Sequence, residues 1–289
     1  MAFSLDSTFD SERRHLTAVA FRLLGSLHDA EDAVQDTWIK AATADAGDVR
    51  NPAAWLTTIL TRVCLDRLRT RQRRGEHPLR ADPTVTEAIA ADEHYIGRER
   101  VSRALMVVLD QLTPPQRVAY ILHDLFDFPF RQVADALGIS SDAAKQHASR
   151  ARRRIETSRP DTTPNSARDD ALVEAFLAAA AGGDLNRMLS LMAPDCVRHA
   201  DPALLPDGAQ RVVAGAASVA EETRLFAGRI RSSTAIVIDG RPAHGIAPGG
   251  HLLAIIDITA KHGLITRIDI TRPTARPVLT MAPTTTCPA

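Results

Sequence analysis

Between Phe130 and Ile155 the sequence specifies two helices that meet at a tight turn. Ala134 is small where the helices must cross closely, Gly138 permits the turn, and Ser140 can cap the second helix. On that second helix Ala144, Ala148, Ala151 and Ile155 recur at helical spacing and form one inward face. Ser141, Asp142, Lys145, Gln146, Ser149, Arg150, Arg153 and Arg154 are left for solvent or a ligand. In a helix-turn-helix, side chains at the start of the second helix reach base edges, and later basic residues meet phosphates. Ser141, Asp142, Lys145 and Gln146 are therefore candidates for base reading, with Ser149 beside them. Arg150, Arg153 and Arg154 are candidates for phosphate contact. The alternative is a basic, solvated face on an ordinary helical bundle.

A second basic helix lies upstream. It runs from Trp55 through Leu65 and Arg69 and ends in the cluster Arg71-Gln72-Arg73-Arg74. The chain carries 35 Lys and Arg against 35 Asp and Glu, so this positive charge is local. Local positive charge beside a helix-turn-helix is the footprint expected of a protein that grips nucleic acid.

At 289 residues with 45% apolar content, the chain is long enough for two or three folded domains. Asp6, Asp10 and Glu12 interrupt the N-terminal residues, so no secretory signal is expected. No stretch approaches the roughly 18 apolar residues that span a bilayer. Cys64, Cys196 and Cys287 are far apart and suggest neither a disulfide framework nor a metal site. The expectation is a cytoplasmic protein without a metal or cofactor and without a membrane partner.

Residues 12–74 read as helices. Leu16, Val19, Ala20, Leu23 and Leu24 form one apolar stripe, a helix follows from Asp29 to Ala42, and the basic helix starts at Ala53. Residues 76–97 carry Pro78 and Pro83 and read as a linker with a short helix near its end. Residues 98–157 form a second all-helical unit, in which Thr113-Pro114-Pro115 opens a helix. A linker over 158–166 follows. Beyond it, Asp169–Ala181, Asp184–Met192 and Gly215–Phe226 read as helices. Ser232–Ile238, His251–Thr259 and Leu264–Thr271 read as strands of an antiparallel meander, parted by turn signals such as Asp239-Gly240 and His262-Gly263. Residues 273–289 are rich in Pro and Thr and read as a frayed tail.

Together these motifs resemble an extracytoplasmic-function (group 4) sigma factor. His28-Asp29-Ala30-Glu31-Asp32-Ala33-Val34-Gln35-Asp36-Thr37-Trp38 resembles the acidic helix of region two, which in that family docks on the largest subunit of RNA polymerase. Asn51-Pro52-Ala53-Ala54-Trp55-Leu56 through Arg69 resembles the helix that melts and reads the −10 element. Leu112-Thr113-Pro114-Pro115-Gln116-Arg117 and Phe130 through Arg153 resemble region four, which reads the −35 element. The resemblance implies two partners, core RNA polymerase and promoter DNA, and leaves any anti-sigma factor open.

On that basis Asp29, Asp32, Gln35 and Asp36 are the expected polymerase-binding residues. Spacing puts the three acids on one face, suited to a basic partner; a solvated acidic face is the plainer alternative. Capture of a flipped base implies a polar pocket before the basic helix, with Asp48, Arg50 and Asn51 as its contacts. Arg62, Arg69, Arg71, Arg73 and Arg74 would track phosphates. Trp38 and Trp55 could stack on bases, but tryptophans on amphipathic helices more often pack in cores.

Residues 167–272 resemble a SnoaL-like domain of the nuclear-transport-factor-two-like superfamily. The expected fold class is thus multidomain: two all-α sigma domains and a C-terminal α+β cone. Asp195, His199, Asp201 and Arg211 are the expected pocket residues, set against the reading that they are surface groups on a non-catalytic module. Two rival functions stand beside the sigma factor. A duplex-binding dimeric regulator gives no reason for the acidic helix, and a small-molecule enzyme or sensor would act through residues 167–272 alone.

Overall fold

The computed structural model describes residues 5–44, 49–74, 87–98, 102–156, 164–206, 208–273 and 279–281. The chain divides into two compact units, 1–156 and 157–289.

Among the described residues, the regular structure of the first unit is all helical. Its N-terminal region packs α1 (Leu5–Leu24), α2 (Leu27–Thr43) and α3 (Pro52–Arg74) against one another. The Leu16, Val19, Ala20, Leu23 and Leu24 stripe is fully buried, against Ala30, Ala33 and Val34 of α2 and Leu56, Leu60 and Cys64 of α3. Removing a fully buried leucine from such a core costs about 2–5 kcal/mol. Trp38 packs on Phe9 with ring centroids 5.0 Å apart, and Trp55 is half-buried. Ser26 caps α2 by accepting from the amide of Asp29.

The segment expected as a linker over 76–97 ends in a packed helix, α4 (Glu87–Arg98). Asp92 accepts from the amide of Leu27 at 2.6 Å, and Tyr95 lies 4.6 Å from Phe21. Alternation was hard to read there because Asp92 and Tyr95, both buried, carry polar groups. Arg103 then grips Glu93 with two hydrogen bonds of 2.6 and 2.8 Å.

The remaining helices are α5 (Arg103–Leu109), α6 (Pro114–Tyr120), α7 (Phe130–Leu137) and α8 (Ser141–Glu156), with a π-turn over Ile121–Leu125. Gly138 ends α7 at φ +68°, where a side chain would be strained, and the amide of Ile139 donates to the carbonyl of Ala134. Ser140 accepts from the amide of Ala143 and so caps α8. Ala144, Ala148, Ala151 and Ile155 are buried, as their spacing requires.

Among the described residues, the second unit combines α9 (Pro164–Gly182), α10 (Leu185–Leu191), α11 (Ala216–Leu225) and α12 (Ala227–Ile230) with seven strands. These are β1 (Met192–Ala200), β2 (Val212–Ala214), β3 (Ser233–Ile238), β4 (Arg241–Ile246), β5 (Ala254–Lys261), β6 (Leu264–Thr271) and β7 (Leu279–Met281). Their order is β2-β1-β6-β5-β4-β3-β7, antiparallel except for the parallel β1–β6 pair. Positive φ at Asp239-Gly240 and at His262-Gly263 sets the two tight hairpins. The helices and one sheet face enclose a core that includes Phe176, Met188, Val219, Ile230, Ile256 and Ile268.

Four expectations change here. The helix read through Met192 stops at Leu191, and Met192 begins β1. The linker read over 158–166 gives way to α9 at Pro164. β1, β2 and β4 join the three expected strands. The tail read over 273–289 contributes β7, which pairs with β3 and covers what would otherwise be a bare sheet edge.

Candidate nucleic-acid and polymerase interface

The helix-turn-helix presents its expected surface. Asp142, Lys145, Gln146, Arg150, Arg153 and Arg154 are exposed on α8, and Ser141 and Ser149 are half-buried among them. Lys145 pairs with Asp142 at 3.1 Å across an exposed i, i+3 step, a contact that contributes little to stability. Arg152 differs from its neighbours. It turns inward and donates to Asp124 of the π-turn. His147 lies on the flank of α8, and burial followed by the nearby Arg150 charge lowers its pKa.

On α3 the arginines separate into two groups. Arg69, Arg73 and Arg74 are exposed, as are Arg50 and Asn51 before the helix. Asn51 is partly committed, because its side-chain oxygen accepts from the amide of Ala54 and caps α3. Asp48 lies outside the described residues. Arg62 is exposed but donates to the carbonyl of Asp135 at 2.9 Å. Arg71 does not track the surface. It donates to the carbonyl of Leu24 and pairs with Asp29. Arg67 likewise donates to Asp36 at 2.6 Å and to the carbonyl of Asp29. The sequence carried a signal for this. Leu56, Leu60 and Cys64 are the inward stripe of α3, and Arg67 and Arg71 continue it toward α2.

These pairs revise the acidic face. Asp29 and Asp36 are neutralised within the fold by Arg71 and Arg67. Asp32 is half-exposed, with His28 3.8 Å and Arg67 4.0 Å away. Glu31 and Gln35 are exposed, and Ile39 is a large apolar residue 53% exposed one turn further on. The outward surface of α2 is therefore Glu31, Asp32, Gln35 and Ile39, and Glu31 was missed from the sequence.

The second unit contains a small apolar cavity of about 60 Å³, lined by residues including Phe176, Leu204, Phe226, Ile256 and Ile268 with Arg198 and Glu222. None of Asp195, His199, Asp201 and Arg211 lines it. Side chains of a strand alternate between faces. On β1, Cys196, Arg198 and Ala200 are buried, whereas Val197 and His199 lie on the more open face. The expected helix ended at Met192 and no strand was expected over residues 193–200, which removed the means to assign that parity. His199 sits 3.8 Å from Asp269 on β6. Asp201 accepts from Arg272 at 2.7 Å, and that hydrogen bond lowers its pKa. Asp195 and Arg211 are exposed. Arg198 instead donates to the carbonyls of Gln210 and Arg211 and pairs with Glu222.

Comparison with known proteins decides what these surfaces belong to. The family model for Sigma-70 region 2 matches residues 8–74, and that for Sigma-70, region 4 matches residues 102–155. The ECF RNA polymerase sigma factor SigJ of Mycobacterium tuberculosis is 40% identical over 221 residues, covering 74% of this chain and 70% of the relative. The chain belongs to the ECF RNA polymerase sigma factors. A second relative, the probable ECF RNA polymerase sigma factor SigI of the same species, is 30% identical over 68% of this chain and 70% of its own length. The crystal structure of M. tuberculosis SigJ matches with a TM-score of 0.44 at 31% identity, covering 93% of this chain and 97% of that one. As a sigma factor, the chain serves promoter-directed transcription initiation, and its helical sigma regions precede a helix-plus-sheet domain. Among the described residues, no helix is long and apolar enough to cross a membrane.

Proposed function

We propose that this sigma factor binds core RNA polymerase through the outward face of α2 and reads promoter DNA with α3 and α8. The carrying observation is the sorting of arginines. Arg69, Arg73, Arg74, Arg150, Arg153 and Arg154 face solvent, while Arg67, Arg71 and Arg152 are tied into the fold. An arginine held exposed on the helix surface suits phosphate contact; an arginine bonded to a carboxylate of another element holds the domain together. Lys145 and Gln146 supply −35 base preference, and Arg50 and Asn51 stand where a flipped −10 base is received. Asp48 belongs to the same proposal on sequence grounds alone.

The protein acts in the cytoplasm as a subunit of a transcribing enzyme and is not itself a catalyst. The C-terminal domain modulates that subunit and does not turn over a substrate. Its cavity of about 60 Å³ is far below the roughly 300 Å³ of ordinary ligand sites. Of its charged lining residues, Arg198 and Glu222 are bonded to each other and Arg229 donates to the carbonyl of Leu204. The connecting segment is short, so the domain stays at a high effective concentration, up to about millimolar, beside the sigma regions. Reconstituted transcription with core polymerase on genomic fragments tests the proposal. Full-length protein and a chain truncated after Ser158 should both start at promoters but with different yields. Identical yields would remove the modulating role.

A further inference from the structure

The mouth of the cavity in the second unit combines an apolar opening with arginines that the fold leaves unanswered. Phe176, Ile256 and Ile268 form the buried floor of the cavity, while Leu204, Phe226 and Ile270 line it and stay half-buried at its opening. Leu225 lies in sequence between the lining residues Thr223 and Phe226 and is 81% exposed, more than any other large apolar residue among the described residues. One exposed leucine is ordinary, but one beside an open apolar hollow extends that hollow into a patch.

Charge around the mouth is unbalanced. Its carboxylates are each answered by an arginine: Glu222 by Arg198, Glu221 by Arg224 and Asp201 by Arg272. Arg229 and Arg211 are left over. Arg229 lines the cavity, holds its guanidinium 5.7 Å from the centre of the Phe226 ring and donates through Nη1 to the carbonyl of Leu204 at 2.9 Å. Among the described residues no carboxylate pairs with it. Arg211 is exposed, and its carbonyl accepts from Arg198 of the cavity wall. After the Arg272 hydrogen bond and the Ala203 amide, the charge of Arg211 helps to hold the Asp201 carboxyl below the usual carboxylate range.

The hollow is small. A void needs about 10–15 Å³ to hold one water, so about 60 Å³ accepts about four, the bulk of one aliphatic side chain. Two unanswered guanidinium groups beside such a hollow suit an anion with a single apolar point, carboxylates flanking one leucine-like side chain. A nucleic-acid backbone would use the arginines and leave the hollow and Leu225 unfilled. We propose that the mouth of this cavity docks an acidic peptide segment of a partner protein by one apolar anchor. The anchor enters between Leu204, Phe226 and Ile270, Leu225 packs along its flank, and Arg229 and Arg211 meet the carboxylates on either side. Docking there rests on the modulating role given to the C-terminal domain and supplies its chemistry, because a partner held at the mouth is tethered to the sigma regions through the short connecting segment.

The test uses the full chain and a fluorescein-labelled peptide in which glutamates flank one central leucine, read by anisotropy at low salt. Replacing that leucine by serine should weaken binding about tenfold or more, the worth of one buried leucine side chain. Replacing the glutamates by glutamines should weaken it and remove its salt dependence. On the protein, Leu225→Ser and Arg211→Gln, both at exposed positions, should each weaken it about threefold with the melting temperature unchanged. Arg229→Gln should weaken it further, and Arg229→Lys, which keeps the charge, should restore most of it. The chain truncated after Ser158 keeps the basic α3 and α8 and should not distinguish the leucine peptide from the serine peptide. Equal binding of the two peptides by the full chain would overturn the site. So would wild-type binding by folded Leu225→Ser and Arg211→Gln proteins, or a dependence on the arginines with none on Leu225, the pattern of a nucleic-acid contact. If these controls fail while truncation still changes the transcription yield, the docking falls and the modulating role stands. Equal yields from full-length and truncated chains would instead strike the role on which the docking rests.

Discussion

Arginines in this chain make a quantitative prediction, because some are exposed and others are tied. Each phosphate contact contributes about 0.9 to the slope of log affinity against log salt. Between 50 and 200 mM salt, a fourfold change, one contact is therefore worth about 3.5-fold in affinity. Arg150 and Arg153 are exposed on α8. The Arg150→Ala/Arg153→Ala protein should show a slope lower by about 1.8, so the wild type loses about 12-fold more affinity than the variant over that range. Arg152 lies between them in sequence but pairs with Asp124. Arg152→Ala should leave the slope unchanged and lower the melting temperature instead. Fluorescence anisotropy of a labelled random-sequence duplex, titrated at several salt concentrations, reads all three proteins. If Arg152→Ala reduces the slope by the roughly 0.9 of one phosphate contact, or if the double variant leaves it unchanged, the sorting of arginines by burial is wrong.

The α2 surface makes a similar split. Glu31→Lys/Asp32→Lys should weaken core polymerase binding with little loss of stability. Asp36→Lys sets a cation against Arg67 and should cost about 1 kcal/mol of stability after solvent screening, measured by urea unfolding. Lys145→Ala should relax preference at one −35 position by about 1–3 kcal/mol, read by competition among base-substituted duplexes. In the second unit, Glu222→Leu strands the Arg198 guanidinium, whose side chain is 5% exposed, and should cost about 3 kcal/mol. Arg198→Met/Glu222→Leu should recover most of that loss in thermal denaturation, and a stable Glu222→Leu single variant would contradict the buried pair.

Legibility followed the physics of each element. The α8 face was readable because four small or apolar residues recur on one stripe and basic residues fill the rest. β6 was readable from its β-branched run, Leu264–Thr271. β1 was not, because Met192-Ala193-Pro194-Asp195 has neither alternation nor strand propensity, and its strand state comes from parallel pairing with β6, with a register shift between Met192 and Val197. Losing β1 lost the parity that puts Arg198 rather than His199 in the cavity. The α2 acids were found as a face, but their partners Arg67 and Arg71 lie more than thirty positions away, and only packing brings them together. The ring contacts of Phe126 and Phe128 with His15 are likewise tertiary and encoded by no local pattern.

The central claim is that one chain reads two promoter elements at once for core polymerase. Mapping transcript start sites in the reconstituted reaction tests it most directly. Starts should appear only when this chain is added, and should share sequence elements near −10 and −35. Inserting five base pairs between those elements turns one to the opposite face of the duplex, about half of a 10–10.5-pair helical turn, and should abolish the transcripts. Starts that lack shared elements, or that survive the insertion, would contradict the account.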